Sequence, residues 1–228
     1  KKILVGLGGS TGGMQLLEWA IEEPELFEHI VPIATNAVLS PWGVAFNASQ
    51  RMAIEADGTW QERRADAGQK GLAAARSIAL LSYRHYNGYD ITQPRDKAFV
   101  PLGGEITYAG DNYRRYQGLK LVTRFNAICY YRLTQTMDSH DVGRNRASTE
   151  LALKSIKAAA LVIGIRSDVL YPIEEQVYLQ QTIPGAKLLD IASDFGHDGF
   201  LHEYEKIETA LREFIHINTS HHLKIVNQ

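Results

Sequence analysis

A chain of 228 residues is long enough for one large core and too short to force two independent ones. Its 45% hydrophobic and 22% charged residues exclude the disordered and fibrous classes, and a net charge of -2 supplies no field that would gather nucleic acid or an anionic membrane. No apolar run approaches the roughly 20 residues that cross a bilayer, no signal-peptide pattern precedes the first strand, and a lone cysteine, Cys129, excludes an internal disulfide framework. The expectation is a globular protein of the cytoplasm, with Cys129 as a buried packing thiol.

The chain opens on an apolar strand, residues 3–7, followed by Gly8-Gly9-Ser10-Thr11-Gly12-Gly13 and a helix with apolar residues at Met14, Leu17, Ala20 and Ile21 that Pro24 ends. Gly8-x-Ser10-x-Gly12 fits the nucleophile elbow, a sharp strand-to-helix turn with the serine at its tip. A dinucleotide fingerprint would need glycine where Thr11 stands, and a phosphate-binding P-loop would need a lysine after its last glycine. Residues 30–34 read as the next strand, and strand, helix, strand in succession implies a parallel α/β sheet.

From residue 36 to 157 helical segments follow one another, an insertion in the sheet. Ser40 caps a helix that starts at Pro41, and residues 71–85 form a second helix. A low-periodicity connection over 86–111 reads as a loop, and residues 113–135 as one long helix with an aromatic stripe. Residues 158–165 are a buried parallel strand, 174–181 a helix, 187–191 the last strand, and 200–214 a closing helix before a tail at 218–228. The expected organisation is a core of residues 1–35 and 158–217 interrupted by a helical lid at 36–157.

An elbow serine needs a base and a group to orient it, in the chain order Ser, Asp or Glu, His. Asp168 stands just past the end of a buried strand, where parallel sheets place their ligands, although a loop carboxylate or helix cap would stand there too. His197, between Gly196 and Gly199 after the last strand, is the candidate base. His140 is its rival but lies in the inserted helices, where a wall or capping role is more natural, and His29, His85, His202, His216, His221 and His222 read as solvated. With these roles Ser10 attacks an acyl carbon, His197 takes its proton, Asp168 fixes the imidazole, and the Thr11 N–H is one of two oxyanion donors.

Five stretches taken together resemble the homoserine O-acetyltransferases: residues 9–20, Leu39-Ser40-Pro41-Trp42-Gly43-Val44-Ala45-Phe46-Asn47, residues 71–76, Met137-Asp138-Ser139-His140-Asp141, and Gly196-His197-Asp198-Gly199-Phe200. The likeness runs from residue 3 to about 214, and Thr11 stands where the family usually has methionine. It implies an α/β-hydrolase fold, a mostly parallel sheet with an inserted helical lid, whose N-terminal strands this chain lacks. It also implies acetyl transfer from acetyl-CoA, a co-substrate rather than a resident cofactor, to the hydroxyl of L-homoserine through an acyl-serine, a step of methionine biosynthesis, with no metal. The family's substrate positions fall on Arg76, Tyr83 and Asp198. By residue type alone Arg76 reads as an exposed helix arginine and Tyr83 as a packing aromatic; under the resemblance Arg76 grips a carboxylate and Asp198 accepts from an α-ammonium.

Succinyl-CoA as donor, serine as acceptor, a plain esterase with the same triad, and a half-assembled non-catalytic protein remain open at this point. The expected assembly is a homodimer through the lid helices. A sheet whose first strand is already the nucleophile strand is expected to need upstream sequence, or a second chain, for its bare edge and its other oxyanion donor.

Overall fold

The computed structural model describes residues 2–95 and 107–226, with side chains to residue 216. In chain order the elements are β1 (Ile3–Gly9), α1 (Thr11–Glu22), β2 (Phe27–Ile33), α2 (Pro41–Glu55), α3 (Gln69–Tyr83), α4 (Tyr86–Thr92) and α5 (Ala109–Val122). They continue with α6 (Ala127–Asp138), α7 (Thr149–Lys154), β3 (Ala159–Ile165), α8 (Ile173–Thr182), β4 (Lys187–Ile191), a 3-10 turn at Gly196–Asp198, α9 (Gly199–His202) and α10 (Tyr204–Val226).

The chain divides into two compact units. One comprises residues 1–38, 140–193 and 197–228, the other 39–139 and 194–196. The first carries a four-stranded sheet in the order β1-β2-β3-β4, every pair parallel. Gly9 pairs with Ile33, Ile33 with Ile163, and Ile165 with Ile191, so the carboxyl ends of the strands line one edge. Both faces of the central strands are buried, as a parallel sheet requires. On one face Ile30, Ala160 and Val162 pack with Leu16, Leu17 and Ala20 of α1, Leu153 of α7 and Leu179 of α8. On the other, Val31, Ile33, Leu161, Ile163 and Ile165 pack with Ile207 and Phe214 of α10.

The second unit is helical, with a core of Ile54, Leu72, Ala75, Leu121 and Ala127. Ser40 caps α2 as expected, its Oγ accepting from Gly43 N at 3.2 Å. The Asp57 carboxylate ties the connection to α3 by accepting from Thr59 N, Thr59 Oγ1 and Gly71 N.

Several expectations are corrected. The loop expected over 86–111 begins with helix α4, and residues 96–106 of it lie outside the described residues. The long helix over 113–135 is two helices, because Asn126 starts α6 by accepting from the N–H groups of Ile128 and Cys129. Cys129 is exposed, not a core thiol. Residues 140–157, expected in the lid, group with the sheet. The closing helix, expected to end at 214 before a tail, runs to Val226. His29, expected in solvent, is 3% exposed in β2, its Nδ1 on the Leu4 carbonyl and its ring edge-on to Phe214. No helix among the described residues is long and apolar enough to cross a membrane.

Candidate active site

Ser10 sits between the last residue of β1 and the first of α1, with φ 55 and ψ -123. A non-glycine residue held at positive φ is strained, and strain of this kind gathers where a side chain must be presented at a turn. The turn is over-determined. Ser10 N donates to Ile33 O at 2.8 Å, while its carbonyl accepts from Gly13 N, Met14 N and the hydroxyl of Thr35. A Cβ on Gly8 would stand 2.3 Å from the Gly12 carbonyl oxygen, so only glycine lets strand and helix approach so closely.

Asp168 follows β3 and is 4% exposed. Its Oδ1 accepts from the N–H groups of Leu170 at 2.8 Å and Tyr171 at 3.0 Å, and its Oδ2 lies 2.7 Å from His197 Nδ1. Asp168 therefore caps a turn with one oxygen and faces an imidazole with the other. A carboxylate facing Nδ1 places the ring proton there, which leaves Nε2 as the basic nitrogen. His197 is likewise 4% exposed, flanked by the rings of Tyr171 at 5.2 Å and Phe200 at 5.6 Å. Phe200 also covers the elbow, its ring being 2.9 Å from where a Cβ on Gly9 would stand. The elbow and the imidazole thus share one aromatic neighbour. Thr11 is the first residue of α1, so its N–H belongs to the end of the helix that has no internal acceptor.

His140, the rival candidate, is buried at 8% exposure and faces the Asn36 carbonyl through Nε2 at 2.9 Å, and burial pushes its imidazole below the usual histidine range. Arg76 and Tyr83 lie on one face of α3, with the guanidinium carbon 5.3 Å from the Tyr83 ring centre. Both side chains are partly exposed, and among the described residues no carboxylate pairs with Arg76. Asp198 is partly exposed beside His197 in the 3-10 turn.

Residues that the sequence reading passed over support the elbow. Thr35 is fully buried and clamps the Ser10 carbonyl, and Gln176 of α8 donates to the Thr35 carbonyl at 2.7 Å. Ala34 just before them has φ 45, a second strained residue at a strand end. The only sequence signal of Ala34 and Thr35 is position, immediately after β2, and Gln176 in α8 carries none.

Comparison with known proteins places this site in context. The chain is 43% identical over 219 residues to a homoserine O-acetyltransferase of Cyclobacterium marinum, covering 94% of this chain and 60% of the relative. It is 39% identical over 217 residues to one from Chlorobaculum parvum, with the same two coverages. This chain is a homologue of the homoserine O-acetyltransferases. It spans about 60% of the length of the curated relatives it matches. Among solved structures, a homoserine O-acetyltransferase from Bacillus anthracis superposes with a TM-score of 0.80 at 22% identity, over 94% of this chain and 60% of that one. The esterase E22 superposes with a TM-score of 0.84 at 19% identity, over 94% and 61%. At such identities the likeness concerns the fold alone, and the fold is that of the α/β-hydrolases. No family model matches the chain.

Proposed function

We propose that the protein moves an acetyl group from acetyl-CoA to the hydroxyl of L-homoserine through an acyl-Ser10 intermediate. The observation that carries this reading is the strained elbow serine and the buried Asp168–His197 pair, which share Phe200 as a neighbour, in a chain about 40% identical to proteins of that activity. Simple ester hydrolysis has only the fold in its favour, since the esterase neighbour is 19% identical.

In the first half-reaction Ser10 Oγ attacks the thioester carbonyl while His197 Nε2 takes its proton. The Thr11 N–H donates to the oxyanion, and the tetrahedral species collapses with the CoA sulfur leaving and taking the proton back from the imidazolium. In the second, His197 Nε2 takes the proton of the homoserine hydroxyl as its oxygen attacks the acyl carbon, and returns that proton to Ser10 Oγ as it leaves. Asp168 keeps the ring in the productive tautomer and stabilises the imidazolium throughout. Arg76, stacked on Tyr83 and paired with no carboxylate among the described residues, holds the α-carboxylate, and Asp198 accepts from the α-ammonium. A groove of about 1180 Å³ walled by Ala73, Leu81, Tyr89 and Leu119 is the lid surface that a homodimer would cover.

The test is the intact mass of the full-length polypeptide after mixing with acetyl-CoA or succinyl-CoA alone. Gain of one acetyl group, lost in Ser10→Ala and discharged by homoserine, is the expected result. A succinyl adduct alone would change the donor, discharge by serine would change the acceptor, and discharge by water as fast as by homoserine would make the protein an esterase.

A further inference from the structure

After β4 the chain passes through Ser193, contributes residues 194–196 to the helical unit, and returns to the sheet unit at His197. Inside the helical unit this short strap is held by the start of α4. Asn87 Nδ2 donates to Asp194 Oδ1 at 3.0 Å. Gly88 is buried, and a Cβ there would stand 2.7 Å from the Asp194 carbonyl oxygen. At the other end of the strap Gly196, at φ 64, would place a Cβ 2.7 Å from the carbonyl carbon of Arg84 and 2.9 Å from His85 N. Two backbones therefore meet without side chains between them, and the polar bond closes the contact at its exposed end. The residue after Gly196 is His197, whose Nδ1 is 2.7 Å from Asp168 Oδ2.

We propose that α4 positions the base, with Asn87 and Gly88 acting as positioning residues for His197 through the strap 194–196. This rests on the acyl-transfer role given to His197 above. The bond itself is exposed and contributes little to stability, but a base displaced by about 1 Å loses on the order of 100-fold in rate.

Asn87→Asp sets a carboxylate against the Asp194 carboxylate, and the exchange of partners in Asn87→Asp with Asp194→Asn restores one donor and one acceptor. In the full-length polypeptide the single variant is expected to slow acylation of Ser10 by about 10- to 100-fold at unchanged KM for acetyl-CoA, and the double variant to recover most of that rate. Gly88→Ala, which drives a methyl into a backbone oxygen, is expected to lose at least as much. The second readout is the downfield proton resonance of His197 Nδ1, expected in the parent, broadened in Asn87→Asp and regained in the double variant. Because that signal needs no turnover, it decides the proposal even where no acyl-enzyme forms and the acyltransferase reading itself fails. An unchanged rate and resonance in Asn87→Asp, or a loss that the double variant does not reverse, overturns it.

Discussion

At the scale of single residues the site depends on which nitrogen of His197 carries the proton. Asp168→Asn would present an amide donor or a weaker acceptor to Nδ1, favouring the tautomer with the proton on Nε2, where it cannot accept from Ser10. Acylation is expected to fall by about 10⁴-fold, the size of the corresponding loss in serine proteases, with the fold intact because an amide oxygen can still accept from Leu170 N and Tyr171 N. Rapid-quench measurement of the acetyl adduct checks it; a loss below tenfold would remove Asp168 from its role. Arg76→Ala is expected to separate the half-reactions, leaving acylation of Ser10 nearly intact while weakening homoserine use by roughly 30-fold or more, the effect of removing one partner of a charge pair. His140 gives a pH signature. Its imidazole is held below the usual range by burial, so between that lowered value and about 6.5 the unfolded chain binds a proton that the folded chain refuses. Its contribution is complete above about pH 6.5 and declines as the pH falls below it, and urea midpoints should show this acid limb flattened in His140→Gln. The three catalytic candidates were legible in the sequence because each stands at a strand end with glycine or polar residues around it, a local signal. Thr35, Gln176 and Phe200 were not, because what matters in them is contact across the sheet edge, which no spacing encodes.

Among the elements, strands and the capped helix α2 were the most legible. Val, Ile and Leu runs of strand length leave few alternatives, and Ser40-Pro41 marks a helix start by mechanism. Helix α5 and helix α6 were fused in the reading because aromatic periodicity continues across residues 123–126, and the amide of Asn126 acts as a cap only once the chain turns there. His29 was misjudged for a related reason: a histidine inside a parallel strand is covered from both sides, and here its nitrogen finds a neighbouring strand's carbonyl. The connection from α2 to α3 carries its own prediction. Three hydrogen bonds to Asp57 hold its carboxyl down to about 2, with the Gly71 and Thr59 N–H groups as the leading causes. The folded value lies below the unfolded one, so this stabilisation is present above about pH 3.8 and lost as pH falls toward 2. Asp57→Ala should cost about 1 to 3 kcal/mol at neutral pH and lower the melting temperature by roughly 2 to 10 °C, with a smaller difference from the parent at pH 2. Calorimetry at the two pH values checks both the size and its direction.

On the scale of the whole molecule the sheet is asymmetric. Strand β2 is nearly buried throughout, but β1 pairs only with β2 among the described residues and leaves Ile3, Leu4 and Leu7 at 42%, 51% and 55% exposure. An edge strand in solution is normally blunted by lysine, proline or a bulge, and Ile3–Gly9 contains none of these. Its bare N–H and C=O groups and its exposed leucines together make a template for another strand. The curated relatives extend well beyond the stretch matched here, so sequence outside these 228 residues is available in them to cover such an edge. The 228 residues alone are therefore expected to self-associate with rising concentration, and Leu4→Lys together with Leu7→Lys to suppress that association while leaving the Asp168–His197 pair in place. Light scattering across a concentration series, with the His197 proton resonance as the control for folding, checks it. A parent that stays monodisperse at high concentration would show that the β1 edge is protected from within the chain.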